Sequence, residues 1–146
     1  AINPNKRERA SFLTENILPI EASGHLKHLS VPNGDTLRGS DLGFDVFFAN
    51  GHTDKQMIPM ISYKGETLCF MADLLPTVGH ISVPFVMGYD TRPLLTLDEK
   101  ERFLKLAADQ NYFLLLEHDA HNEVITVKHT EKGVRLNSAY NFNNLF

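Results

Sequence analysis

At 146 residues the chain is long enough for one domain with a real hydrophobic core. With 42% hydrophobic and 22% charged residues its balance is that of an ordinary globular protein, and a net charge of −4 gives no general attraction for a phosphate backbone, so no nucleic acid partner is expected. The single Cys69 excludes an internal disulfide, and no apolar run approaches the roughly 20 residues that cross a bilayer. The opening AINPNKRERASF reads as no signal peptide, so a cytoplasmic protein without a membrane partner is expected. The chain begins with Ala1 rather than Met, which fits either processing or a fragment of something longer.

In chain order, Asn3-Pro4 has the form of a helix start. Ala10, Leu13 and Ile17 recur at helical spacing, so a helix over 4–16 is predicted, stopped by Pro19. Residues 21–43 are rich in Gly, Ser, Asp and Asn and read as loop with at most one short strand. FDVFFAN is a strand with Phe44, Val46 and Phe48 in alternation, ending in Gly51-His52-Thr53. MIPMISY and ETLCFMADLL flank the turn pair Lys64-Gly65 and form a hairpin. Residues 76–95 carry too much Pro and Gly for a regular element. Thr96 and Glu99 then make a capping box that opens a second helix running to about Asp109. YFLLLEH is a strand buried on both faces, and NEVITVKHT and GVRLNSAY pair around a turn at 131–133.

Three polar residues stand at the ends of apolar strands: His52 after FDVFFANG, Asp73 after ETLCFMA and His118 after YFLLLE. Two imidazoles and a carboxylate suit Zn²⁺ or a similar divalent ion, although spacings this long make no local metal motif. Taken singly, a strand-end His is usually a surface residue and Asp73 a turn residue. His80 and Asp90 lie on the long loop, where they could contact substrate or back a ligand; an exposed ion pair of Asp90 with Arg92 is the simpler reading. Asp119 and His121 follow His118 and could orient it. Cys69 reads as a small buried hydrophobe, and no phosphate loop, serine elbow or Cys-pair zinc motif is present.

The words around these residues sharpen the reading. FFANGHT, ETLCFMADLLPT and LLLEHD, in that order with a helix between the second and third, resemble the C-terminal half of the metallo-β-lactamase superfamily. The resemblance covers about Phe44–Leu136 and is looser over 1–43. It implies half of an αββα sandwich, in the broad α/β class, with a mixed or antiparallel sheet and helices on one side. Residues 1–43 are then a helix-and-loop lead-in and 44–146 the sheet and helix core of a single domain or fragment.

The resemblance further implies that His52 binds one metal, Asp73 bridges two and serves as the catalytic carboxylate, and His118 binds the other. Zn is the expected ion, with Fe or Mn as alternatives. The implied reaction is attack of a metal-activated water on an ester, amide, lactone or phosphodiester bond of a small-molecule substrate. The family's His-x-His-x-Asp-His loop is absent here: the histidines are His25, His28, His52, His80, His118, His121 and His129, and none follows that pattern. Gly-His-Thr also continues as Asp54-Lys55-Gln56 rather than Pro-Gly-His. The chain alone is therefore expected to be inactive or nearly so. Its partner is expected to be the N-terminal half of the same parent, or a second copy of itself. A non-catalytic interaction module and a metal-free small-molecule binding domain are the rival readings.

Overall fold

A computed structural model describes residues 3–145 of the chain, which divides into two compact units, Ala1–Val31 and Pro32–Phe146. The first holds a single turn of 3₁₀ helix at Glu8–Ala10 and helix α1 (Thr14–Ala22). The expected helix over 4–16 is thus displaced toward the C-terminus. Asn5 takes the capping role expected of Asn3, its side chain accepting from the Arg7 and Glu8 N–H groups, and the turn it starts is short. Pro19 lies inside α1 instead of ending it. Proline's fixed φ is compatible with the helix, although Pro19 has no N–H to donate to the carbonyl four residues back. Leu18 and Ile20 are exposed, and α1 buries none of its residues.

The second unit contains one seven-stranded sheet. Its strands are β1 (Thr36–Leu37), β2 (Asp45–Ala49), β3 (Gln56–Tyr63), β4 (Glu66–Phe70), β5 (Phe113–Leu115), β6 (Val124–Thr130) and β7 (Gly133–Tyr140), lying side by side in chain order. The β3–β4 hairpin turns at Lys64-Gly65, both with positive φ (51° and 86°), the geometry of a two-residue turn whose twist matches its strands. Every neighbouring pair is antiparallel except β4 and β5. Parallel neighbours need a crossover, and helix α2 (Pro93–Gln110) supplies it.

Helix α2 starts three residues before the predicted capping box. Pro93 takes the first helical position, where its missing N–H is harmless, and places Thr96 and Glu99 inside the helix. It ends at Asn111, whose left-handed φ of 54° closes the last turn.

Alternation along the strands separates two faces. Phe47, Ile58, Met60, Cys69, Leu114 and Ile125 line one face in successive registered pairs and pack with Phe103, Leu104 and Ala107 of α2. Phe47 meets Phe103 edge to face, with ring centroids 5.0 Å apart. The opposite face is also apolar, with Ile61, Leu68 and Phe113 in one row and Phe70, Leu115 and Val124 in the next. Phe48 on that face is buried, and the exposure there falls on Met57, Ile61 and Tyr63. One mixed sheet with its helix on one side is the half-sandwich that the sequence resemblance implies.

Candidate metal centre

His52 reaches the centre from the loop after β2, and that loop is held by Glu99 of α2 and by residues 90–92 just before the helix. Glu99, 2% exposed, accepts from the Asn50 N–H at 2.8 and 3.0 Å and from the Gly51 N–H at 2.9 Å. Arg92 donates from its backbone to the Gly51 carbonyl and from its guanidinium to the Asn50 carbonyl. Gly51 is required by space: a Cβ there would lie 2.2 Å from Thr96 Oγ1 and 2.4 Å from the Thr96 backbone nitrogen. The absent side chain lets the helix and the ligand loop touch backbone to backbone.

Asp73 and His118 are brought together by the parallel step of the sheet. Phe70 of β4 is in register with Leu115 of β5, and each polar residue stands three places beyond its member of that pair. The Met71 N–H donates to the Leu115 carbonyl and extends the pairing. Ala72 then adopts a left-handed φ of 43°, unfavourable for a residue with a Cβ, and turns Asp73 off the strand axis.

The side chains converge. His118 Nε2 lies 3.2 Å from Asp73 Oδ1, and His52 Nε2 lies 3.5 Å from Asp73 Oδ2, so two imidazoles address the two oxygens of one carboxylate. Glu117 adds a third oxygen donor 3.1 Å from His118 Nε2, and ligand atoms of Asp73, Glu117 and His118 all lie within 4.8 Å of one another. His52 reaches this group through Asp73.

Asp90 completes the arrangement from behind. It is buried, with Oδ1 2.9 Å from His52 Nδ1. A carboxylate only accepts, so Nδ1 carries a ring proton, and Nε2 on the Asp73 side is the nitrogen that could hold a metal. This replaces the expected exposed pair of Asp90 with Arg92. Arg92 pairs with Asp54 instead, because the loop turns the Asp90 side chain inward while Arg92 caps the loop at its rim.

The remaining candidates have other partners. Among the described residues, Asp119 accepts from the Val78, His121 and Asn122 N–H groups and from Asn122 Nδ2, tying the segment after His118 to the loop after Asp73 instead of touching the His118 ring. Burial pushes its carboxyl up, but these hydrogen bonds outweigh it and bring it to about 2. His80 pairs with Thr77 Oγ1 at 2.8 Å, and burial first, then the Lys100 cation, lower its pKa. Cys69 is the expected buried hydrophobe, its thiol raised by burial to about 12. Glu99 and Glu117 escaped the sequence reading. Glu99 looked like half of a capping box, whereas Glu117 adjoins a ligand candidate and could have been found from that position.

The donor set fits a divalent metal: nitrogen and oxygen ligands on one small volume, one imidazole already oriented from behind. No known family profile and no curated protein sequence matches the chain. Solved structures do. A probable metal-dependent hydrolase from Staphylococcus aureus is similar over 77% of this chain and 39% of its own, at 25% identity and a TM-score of 0.61. The hydrolase AbOPH, of the β-lactamase superfamily, is similar over 95% and 51%, at 15% identity and 0.69. AidC, a dizinc quorum-quenching lactonase, is similar over 94% and 49%, at 21% identity and 0.65. The class these define is that of metal-dependent hydrolases. In fold this chain is similar to these hydrolases, and it spans about half or less of each structure it matches.

Proposed function

We propose that this chain is the C-terminal half of a metal-dependent hydrolase and supplies His52, Asp73 and His118 to a two-metal centre, with Zn the expected ion. The observation that carries this reading is the approach of both imidazole Nε2 atoms to opposite oxygens of Asp73. His52 would hold one ion and His118 the other, with Asp73 shared between them and Glu117 beside His118. The chemistry supplied by such ions is Lewis acidity, making water acid enough to attack an ester, amide, lactone or phosphodiester near neutral pH.

The chain's own residues do the positioning. Asp90 holds the His52 proton on Nδ1, Glu99 and Gly51 fix the height of the His52 loop, and Asp119 locks the segment that follows His118. Asp90 and Asp119 would thereby support the site, Asp90 behind His52 and Asp119 beside the segment after His118. Each ion would keep few protein ligands from this chain alone, so the remaining ligands must come from a partner. The apolar sheet face bearing Met57, Ile61 and Tyr63 is where the N-terminal half of the same parent would pack.

The test is a cobalt(II) titration of the full chain, purified without a metal-affinity tag and followed by visible absorption. Wild type should develop a cobalt spectrum, and D73N and H118A should each lose it. Wild type showing no spectrum at millimolar cobalt, or a D73N variant binding as well as wild type, would overturn the ligand assignment.

A further inference from the structure

Lys100 is among the most deeply buried residues of the chain, 1% exposed on the inner side of α2. A lysine is almost never fully buried unless paired. Its ammonium donates to the carbonyl oxygens of Ser82, at 3.4 Å, and Phe85. Burial lowers it to about 8, and attraction to the Asp90 carboxylate opposes that shift.

Much of the segment it grips faces solvent. Phe85 and Tyr89 point outward, 61% and 71% exposed, so the stretch from Ser82 to Asp90 is not fastened by burying its aromatic side chains. Yet this stretch delivers Asp90, whose side chain is fully buried and whose Oδ1 meets His52. The second oxygen of Asp90 is buried without a hydrogen-bond partner among the described residues, so the carboxylate is anchored locally through one oxygen only. Such a group needs its backbone placed from elsewhere.

We propose that Lys100 is a positioning residue for the metal centre: by holding the Ser82 and Phe85 carbonyls it fixes the 82–90 segment and sets Asp90 against the back of the His52 ring. A purely stabilising role would not call for a cation here. Burying a charge is costly, and an apolar residue of similar length often serves stability as well or better. Two carbonyls converging on one ammonium, with the carboxylate that orients a ligand at the end of the same segment, describe a geometric task.

The inference rests on reading His52 as a ligand, but its test does not depend on metal. In metal-free, ¹⁵N-labelled full-length chain, long-range proton–nitrogen correlation reports the imidazole tautomers, with the His52 signal assigned by its loss in H52Q. Wild-type His52 should show the Nδ1–H form with a ring proton protected from solvent exchange. In K100M, still cooperatively folded, that exchange should accelerate at least about tenfold, and cobalt affinity should fall by roughly the tenfold or more typical of a lost ligand support. K100R should restore part of both. Ile125→Ala, a core truncation on β6, should lower stability and leave His52 exchange unchanged. Should the K100M variant not fold, K100Q, which reaches at most one carbonyl, carries the same test. Unchanged His52 exchange in the folded Lys100 variant, or an equal acceleration in Ile125→Ala, would overturn the proposal. Wild type that binds no cobalt but shows the expected exchange pattern would overturn the ligand assignment and leave the positioning geometry standing.

Discussion

Replacing Glu99 by glutamine swaps one carboxylate oxygen for an amide and leaves the shape unchanged. In the native site both oxygens face donors: Oε1 receives the Asn50 N–H at 2.8 Å and Oε2 the Gly51 N–H at 2.9 Å. Glutamine can accept at one of these positions, but at the other its NH₂ would confront a backbone N–H. The site is 2% exposed, so water cannot easily repair the mismatch. Hydrogen bonds to charged groups contribute about 1.5–3 kcal/mol each, and E99Q should destabilise the chain by about 2–3 kcal/mol. E99A orphans both donors and leaves a cavity, and should cost about 3–5 kcal/mol. The control is E101Q: Glu101 is exposed and pairs with Lys105 one turn on, worth about 0.3–0.5 kcal/mol. Urea denaturation at pH 7 ranks the three, and amide exchange at Asn50 and Gly51 should accelerate in the Glu99 variants only. An E99Q chain within about 0.5 kcal/mol of wild type, or no worse than E101Q, would refute the claim that this carboxylate fixes the ligand loop.

Gly51→Ala forces a methyl to 2.2 Å from Thr96 Oγ1 and to 2.6 Å from the Thr96 Cα, backbone that cannot step aside. It should cost at least about 2–3 kcal/mol by thermal or urea unfolding and weaken cobalt binding together with stability. Cys69 should resist a thiol reagent at pH 8 in the folded chain and react at once in urea, since its thiol is wholly buried and raised to about 12. Lys100 makes stability depend on alkaline pH. Its folded pKa of about 8 lies below the ordinary 10.5, so between those values the unfolded chain binds more protons and unfolding free energy rises with pH. The gain should approach roughly 2–3 kcal/mol by pH 10.5, and should be read as the difference between wild type and K100M, in which the opposing titration of Cys69 cancels.

The strands were legible because each signal is local, whereas the grouping of His52, Asp73 and His118 came from the resemblance of the words around them. Alternating or dense apolar runs name β2 to β7, and a polar residue at the end of such a run stands out. What could not be read was the direction in which a side chain turns. Thr96-Leu97-Asp98-Glu99 has the letters of a capping box, yet Pro93 had already started the helix and Glu99 turns outward to the His52 loop. Asp90 sits in MGYDTRP, whose composition suggests surface, and only the three-dimensional path of the loop shows that it is buried against a histidine. Lys100 lies in a run of charged residues, DEKER, within which nothing marks the one ammonium that points inward. Pro19 misled for the opposite reason: a strong local rule was expected to stop the helix, and Pro19 lies inside it.

The registered pair Phe70 and Leu115 turns the spacing of the site into a matter of counting. Asp73 and His118 meet because two overhangs of equal length leave the same edge of the sheet in the same direction. Substitutions elsewhere in β4 or β5 shift both overhangs together and preserve their meeting. Insertion or deletion of a single residue between Phe70 and Asp73, or between Leu115 and His118, moves one tip alone and breaks the match. The centre should therefore tolerate changes of sequence in these strands far better than changes of length beyond them. A designer carrying the Asp73–His118 pair to another parallel sheet would need to copy the two overhangs more faithfully than the strands.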